Sequence, residues 1–207
     1  MKDNLFLSWM NADAISSVEN MRMRFVKGKP FPHIVIDNFL QEKKASELLQ
    51  ALRKEKFEHK ESDLFSLNQT VDLHATRNEC LKGFHWFATS RDFADFMKKL
   101  TGISVEPGAL DLAGSLYKSG DYLLCHDDQV EDRKIAYILY LSKGFGEKDG
   151  GRLVLFDNAK GKPKSEIVKN LPVWNSLMVF EVGRASFHSV EENMSFKDRY
   201  AIGGWLH

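Results

Sequence analysis

Apolar residues recur along this chain with two periods, and the change between them falls near residue 110. Upstream the helical spacing dominates. Ala45, Leu48, Leu49 and Leu52 lie three and four apart, so residues 41–56 are predicted to form a helix with one buried face. Phe93, Phe96, Met97 and Leu100 repeat the pattern over 89–100, with Thr89 or Ser90 as the N-cap. Ile15, Val18, Met21 and Met23 make a weaker face within residues 1–29, an irregular or helical lead-in closed by the breaker Lys27-Gly28-Lys29-Pro30. Two early runs, 31–37 and 63–70, read as strands.

From residue 110 onward short β-type runs take over: 110–118, 121–126, 134–141, 152–157, 165–168, 176–182 and 199–205. Turn signals separate them at Ser119-Gly120, Lys143-Gly144, Asp149-Gly150-Gly151 and 158–163. Helices followed by many short strands predict helices packed on one sheet of a sandwich, a mainly β jelly roll of two facing sheets open at one end. There is no repeat and no composition shift. Residues 1–29 therefore read as a lead-in belonging to the domain, and 30–207 as a single domain.

Composition narrows the class. With 207 residues, 43% hydrophobic and 12% aromatic, the chain can bury a sizeable core. Lys+Arg and Asp+Glu are both 29, which argues against bulk attraction to nucleic acid, although Lys160, Lys162 and Lys164 form a local basic patch. Two cysteines, Cys80 and Cys125, cannot build a disulfide framework and suit a reducing compartment. No apolar run is long enough to span a membrane, and 5–9 is too short for a signal-peptide core. The expectation is a soluble cytoplasmic or nuclear protein with no membrane partner.

The chemistry lies in His126-Asp127-Asp128, His188 and Arg199. Two histidines and one carboxylate are the donor set that holds Fe(II) on one face and leaves other positions open for a co-substrate and O2. If 122–128 is a strand running into a turn, His126 and Asp128 share a side while Asp127 and Cys125 face away, so Asp128 is the expected ligand. His188 follows one strong strand and Arg199 opens another, which would bring both into one barrel. Arg199 would then supply the cation for a dicarboxylate co-substrate such as 2-oxoglutarate. Asp127 and Arg133 flank the site, Trp205 falls near the open end, and the glycine-bounded loop 144–151 is a candidate lid. No second Arg follows Arg199, which disfavours a nucleic-acid demethylase.

Longer segments carry a resemblance. They are 117–128 with its Leu-Leu-Cys-His-Asp-Asp, 133–141, 150–153, Trp174-Asn175, 180–182, 186–190 and Gly204-Trp205, with 63–69 upstream. Together, across roughly 32–206, they resemble the OGFOD/Tpa-type prolyl hydroxylases, oxygenases acting on the decoding-centre protein of the small ribosomal subunit. The resemblance implies a double-stranded β-helix, Fe(II), 2-oxoglutarate and O2 as co-substrates, ascorbate as a stimulant, and prolyl 3-hydroxylation. It places the metal on His126, Asp128 and His188 and the 2-oxoglutarate on Tyr117, Tyr140 and Arg199. Many eukaryotic relatives carry a second, non-catalytic copy of the fold, whereas this chain ends just past the first. Two rival readings remain: an oxygenase for another prolyl protein or a free amino acid, and a non-catalytic binding module that keeps the fold.

Overall fold

The computed structural model describes residues 5–130 and 132–207. The lead-in is helical: α1 (Leu5–Trp9), α2 (Ala12–Ser16) and α3 (Val18–Lys27). Its buried face is Val18, Met21 and Phe25, and Phe6, Trp9 and Met10 pack with it. Met23, expected on that face, is 58% exposed. The side chains at 18, 21 and 25 share one stripe of a 3.6-residue helix, and position 23 lies off it. Residues 1–4, the start of the lead-in, lie outside the described residues.

After β1 (His33–Ile36), α4 (Glu42–Leu52) buries Ala45, Leu48, Leu49 and Leu52, the residues its periodicity picked out. A hairpin of β2 (Glu58–Glu61) and β3 (Phe65–Gln69) leads to α5 (Glu79–Ala88), which the sequence reading did not separate, and α6 (Arg91–Thr101). Asn78 caps α5, its side chain accepting from the Cys80 and Leu81 amides. Ser90 caps α6, and Gly102 closes it in the left-handed conformation at φ 82°.

The remaining strands are β4 (Ala113–Tyr117), β5 (Tyr122–His126), β6 (Ile135–Tyr140), β7 (Leu153–Ala159), β8 (Lys162–Asn170), β9 (Ser176–Glu181), β10 (His188–Val190) and β11 (Arg199–Leu206). They run in the order β1-β9-β6-β11-β4-β3-β5-β10-β7-β8, with β2 attached to β3, and all pairs are antiparallel. Three strands differ from expectation: β2 lies where no strand is predicted, the predicted 165–168 lies inside the longer β8, and β10 falls where the sequence predicts a connection.

Strand alternation explains why several of these strands look apolar throughout. In β6, Ile135, Tyr137 and Leu139 face the helices, while Ala136 and Tyr140 face the second layer. In β9, Leu177 and Val179 face the helices while Met178 and Phe180 face inward. The inner core is completed from the opposite layer by Leu153, Leu155 and Val190. The expected jelly roll with helices on one sheet is therefore the fold. β3 joins the two layers, pairing with β4 through Asn68 and Gln69 and with β5 through Phe65 and Ser66. Buried Asp121 pins that crossing by accepting from Ser66 Oγ, Asn68 Nδ2 and the Lys118 amide.

Candidate metal centre

β5 and β10 lie side by side, with His126 directly opposite His188. Between that pair and the next, Leu123 opposite Val190, β5 spends three residues where β10 spends two. This bulge resets the alternation, so Leu123 belongs to the inner core and His126, three residues on, still lines the interior. Leu124 is turned out, and Cys125 is a half-buried free thiol that does not line the cavity.

The choice between the two aspartates is also made by a turn rather than by strand alternation. β5 ends at His126, and Asp128 takes the left-handed conformation at φ 58°, which aspartate tolerates better than most residues. The Asp127 carboxylate accepts from the Gln129 amide at 3.1 Å and its carbonyl from Ser186 Oγ at 3.0 Å, so that residue serves its own loop. Asp128 instead sets Oδ1 at 3.1 Å from His126 Nε2 and Oδ2 at 3.2 Å from His188 Nε2. His126, Asp128 and His188 each offer one ligand atom, and these atoms lie within 4.8 Å of one another.

Both imidazoles are held from behind. His126 Nδ1 lies 2.9 Å from the Leu124 carbonyl, and His188 Nδ1 lies 2.8 Å from that of Ser186. A carbonyl only accepts, so Nδ1 carries a proton and Nε2 is the atom turned to the cluster, a donor to Asp128 in the protonated ring and a lone pair for a metal in the neutral one. The Phe180 ring, 4.7 Å from that of His188, packs against the buried imidazole. Burial would raise the Asp128 carboxyl, but hydrogen bonds and charge from the two imidazoles reverse this and hold it well below the usual carboxylate range. Burial would lower His126, and its bond to Asp128 leaves it above its ordinary value instead.

The same cavity, about 590 Å³, is lined by this cluster and by Tyr117 and Arg199. Arg199 opens β11 opposite Tyr117 of β4, and β6 on the other side of β11 carries Tyr140. The guanidinium carbon lies 4.8 Å from the Tyr117 ring centroid and 5.2 Å from that of Tyr140. Arg199 is 1% exposed; its Nε donates to the Gly151 carbonyl at 2.7 Å, while Nη2 has no hydrogen-bond partner among the described residues. The Tyr140 hydroxyl, beside that guanidinium but not itself in the cavity lining, is likewise buried with no hydrogen-bond partner among the described residues. Such groups are rare in a folded interior unless a ligand completes them. Burial pushes the Tyr117 hydroxyl up to about 12 and Tyr140 up as well, so both remain neutral donors. Two imidazoles and a carboxylate suit Fe(II), and the unsatisfied Arg199 and Tyr140 donors suit a carboxylate at the inner end.

Other sequence candidates fall around this centre. Trp205 lines the cavity and donates from Nε1 to Asp128 Oδ2 at 2.9 Å, with the Arg133 guanidinium on its face. The 144–151 loop is tied down, because Lys197 Nζ binds both the Gly144 carbonyl and the Asp149 carboxylate. Its contribution to the site is the Gly151 carbonyl that holds Arg199. The sequence reading missed that role, and the only local signal was the Gly150-Gly151 pair, both at positive φ. The basic Lys160–Lys164 patch is exposed on the β7–β8 turn, away from the cavity lining.

Comparisons with known proteins agree with this geometry. Residues 112–207 match the family model described as the 2OG-Fe(II) oxygenase superfamily. The chain is 38% identical over 184 residues to the mouse (Mus musculus) protein named prolyl 3-hydroxylase OGFOD1, covering 86% of this chain and 33% of that protein. It is 36% identical over 197 residues to the prolyl 3,4-dihydroxylase OGFOD1 of Ostreococcus tauri, covering 86% and 38% respectively. The chain thus spans little more than a third of the length of these curated relatives. Among solved structures, a prolyl hydroxylase from Trichoplax adhaerens, in complex with a hypoxia inducible factor oxygen degradation domain peptide fragment, superposes with a TM-score of 0.71. It shares 18% identity, with 95% of this chain and 93% of that one covered. The family described by that model is named for the metal and the co-substrate that the sequence called for; residues 112–207 of this chain are similar to it, on a fold shared with the Trichoplax prolyl hydroxylase.

Proposed function

We propose that this chain is a 2-oxoglutarate- and Fe(II)-dependent dioxygenase that hydroxylates a peptidyl proline at ring C3, and that its target is the decoding-centre protein of the small ribosomal subunit. One observation carries the chemistry: a single cavity is lined both by a His-Asp-His cluster and by a buried guanidinium with an N–H that has no hydrogen-bond partner among the described residues. The peptidyl-proline target rests on the names of the relatives and on the peptide held by the Trichoplax enzyme, which shares the fold. A ribosomal substrate is in keeping with the cytoplasmic or nuclear setting expected from the cysteines. The neutral net charge favours a protein target over a nucleic acid.

His126, Asp128 and His188 hold the metal. One carboxylate against a divalent ion leaves net positive charge, which draws in the 2-oxoglutarate dianion. When bound, Fe(II) couples the oxidative decarboxylation of 2-oxoglutarate by O2 to oxidation of an unactivated C–H bond. The chain supplies position and exclusion. Arg199 takes the far carboxylate through Nη2 as a charge-assisted pair, Tyr140 adds a neutral hydroxyl donor, and the Tyr117 ring packs against the guanidinium. Leu153, Val190 and Phe180 wall the inner end with apolar surface that keeps bulk water out. At the outer end the cavity opens between Leu64 of the β2–β3 turn and Val71, both exposed, where an extended peptide can lie.

The test is mass spectrometry of four substrates incubated with protein, Fe(II) and 2-oxoglutarate: the decoding-centre peptide, its Pro→Ala variant, a collagen-like peptide and free proline. One added oxygen on the first alone, located at ring C3 by fragmentation and comparison with standards, is expected. Equal turnover of free proline, or none of the decoding-centre peptide, overturns the substrate assignment. Absence of succinate with every substrate overturns the enzyme assignment in favour of a binding module.

A further inference from the structure

A cavity wall that only excluded water would need no hydrogen-bond donor, yet Trp205 directs its indole N–H at Asp128. Nε1 donates to Oδ2 at 2.9 Å, the oxygen that also lies 3.2 Å from His188 Nε2, while Oδ1 faces His126 at 3.1 Å with no indole beside it. The indole is held in place. Its backbone sits opposite Ala136 of β6, and its carbonyl accepts from the Asp111 amide at 2.9 Å. On its face lies the Arg133 guanidinium, 3.4 Å from the ring centroid, and Arg133 reaches Asp111 Oδ2 at 3.9 Å. Gly204 makes this close approach possible, because a Cβ there would run into the Asp111 carbonyl.

We propose that Trp205, backed by Arg133, is a positioning residue that occupies Oδ2 of Asp128 and so restricts this carboxylate to one oxygen on the metal. The consequence concerns open positions. Two imidazoles and one carboxylate oxygen leave the face of an octahedral ion free for a chelating keto acid and O2. A carboxylate binding through both oxygens would take one of those positions. The N–H prevents this by giving Oδ2 a partner within the protein, and the cation–π contact keeps the ring from turning away. Groups of this kind, one bond removed from the metal, typically alter affinity or activity by about 10–100-fold when lost.

The inference rests on the metal reading above, and its test separates the two. Trp205→Phe keeps the ring for Arg133 and removes only the N–H; Arg133→Gln keeps the N–H and removes the cation. Each is compared with the unaltered protein by Mn(II) titration, by the absorption spectrum of the Co(II) form, and by thermal melting without metal. Trp205→Phe is expected to change Mn(II) affinity roughly tenfold or more and to shift the Co(II) bands as the second carboxylate oxygen takes an open position, with the metal-free melt unchanged. Arg133→Gln is expected to move the same readouts in the same direction by less. A Trp205→Phe protein with unaltered Mn(II) affinity and Co(II) spectrum overturns the proposal. So does a lowered metal-free melt with an unaltered spectrum, which is the mark of a merely structural residue. An Arg133→Gln protein identical to the parent overturns the backing role. If the unaltered protein binds no Mn(II), it is the metal reading that fails.

Discussion

Replacing Arg199 by Met should move co-substrate affinity and stability in opposite directions. Arg199 is buried with its charge facing Tyr117 and Tyr140, its Nε bound to the Gly151 carbonyl and its Nη2 unpartnered. Burying a charge without a counterion costs several kcal/mol, which the free protein bears and a bound dianion offsets. Methionine fills much of the same volume without the charge. It gives up the bond to Gly151, leaving that carbonyl unpaired at a cost of about 1–3 kcal/mol, and it relieves a desolvation penalty of comparable or larger size. The metal-free Arg199→Met protein should therefore melt at the parent temperature or a few degrees above it, at about 2–4 °C per kcal/mol for a domain of this size. Its affinity for 2-oxoglutarate should fall by about 2–5 kcal/mol, on the order of thirtyfold to several-thousandfold, because a buried charge-assisted pair is lost. Arg199→Lys keeps the charge but loses the planar fork and should fall between. The assay is competition with a non-reactive analogue on the Mn(II) form, beside thermal melts without metal. Unchanged affinity in Arg199→Met refutes the assigned role. Destabilisation as large as the affinity loss refutes the claim that the site stores an uncompensated charge.

His126→Ala, Asp128→Ala and His188→Ala should each abolish metal binding and turnover, while Asp127→Ala, whose carboxylate serves the Gln129 amide, should retain both; metal titration of the four decides, and the reverse result for the two aspartates would exchange their roles. Gly151→Ala should lower both the melting temperature and 2-oxoglutarate affinity, because φ is +66° and the new Cβ would sit 3.0 Å from Arg199 Cδ; the strain alone is about 1–2 kcal/mol. Asn175→Ala should cost roughly 2–5 kcal/mol in urea unfolding with Mn(II) affinity unchanged, because buried Asn175 satisfies both the amide and the carbonyl of Leu40. Glu191 would be raised by burial, but Arg152 and Lys169 hold it below its ordinary value. Its contribution to stability is thus present above the unfolded carboxylate pKa and lost as pH falls through the depressed folded one. Melts across the acid range should show a shallower loss for Glu191→Gln.

Sequence alone determined what local chemistry can encode. The helical faces of α4 and α6 were legible because packing one side of a helix on a sheet needs that spacing. The cluster of His126, Asp128 and His188 was legible because a facial metal site needs two imidazoles and a carboxylate whatever holds them, and the longer segments around it carried the resemblance. The lead-in was less clear, since its stripe runs through Val18, Met21 and Phe25 rather than Met23. α5 escaped because Gly83 interrupts a short stripe, and β10 because three residues show no period. That strand exists only because β5 and β7 flank it and satisfy its backbone. Only the tertiary structure decided the rest. Asp128 reaches the cluster through a left-handed turn, and His126 stays inside through a bulge, neither of which a period of two describes. Arg199 meets Tyr117, Tyr140 and Gly151 through the pairing of β4, β11 and β6 and a loop 48 residues away. Trp205 meets Asp128 across 77 residues of chain. These contacts join elements remote in sequence, so their geometry is set by strand register and packing, which no local pattern contains.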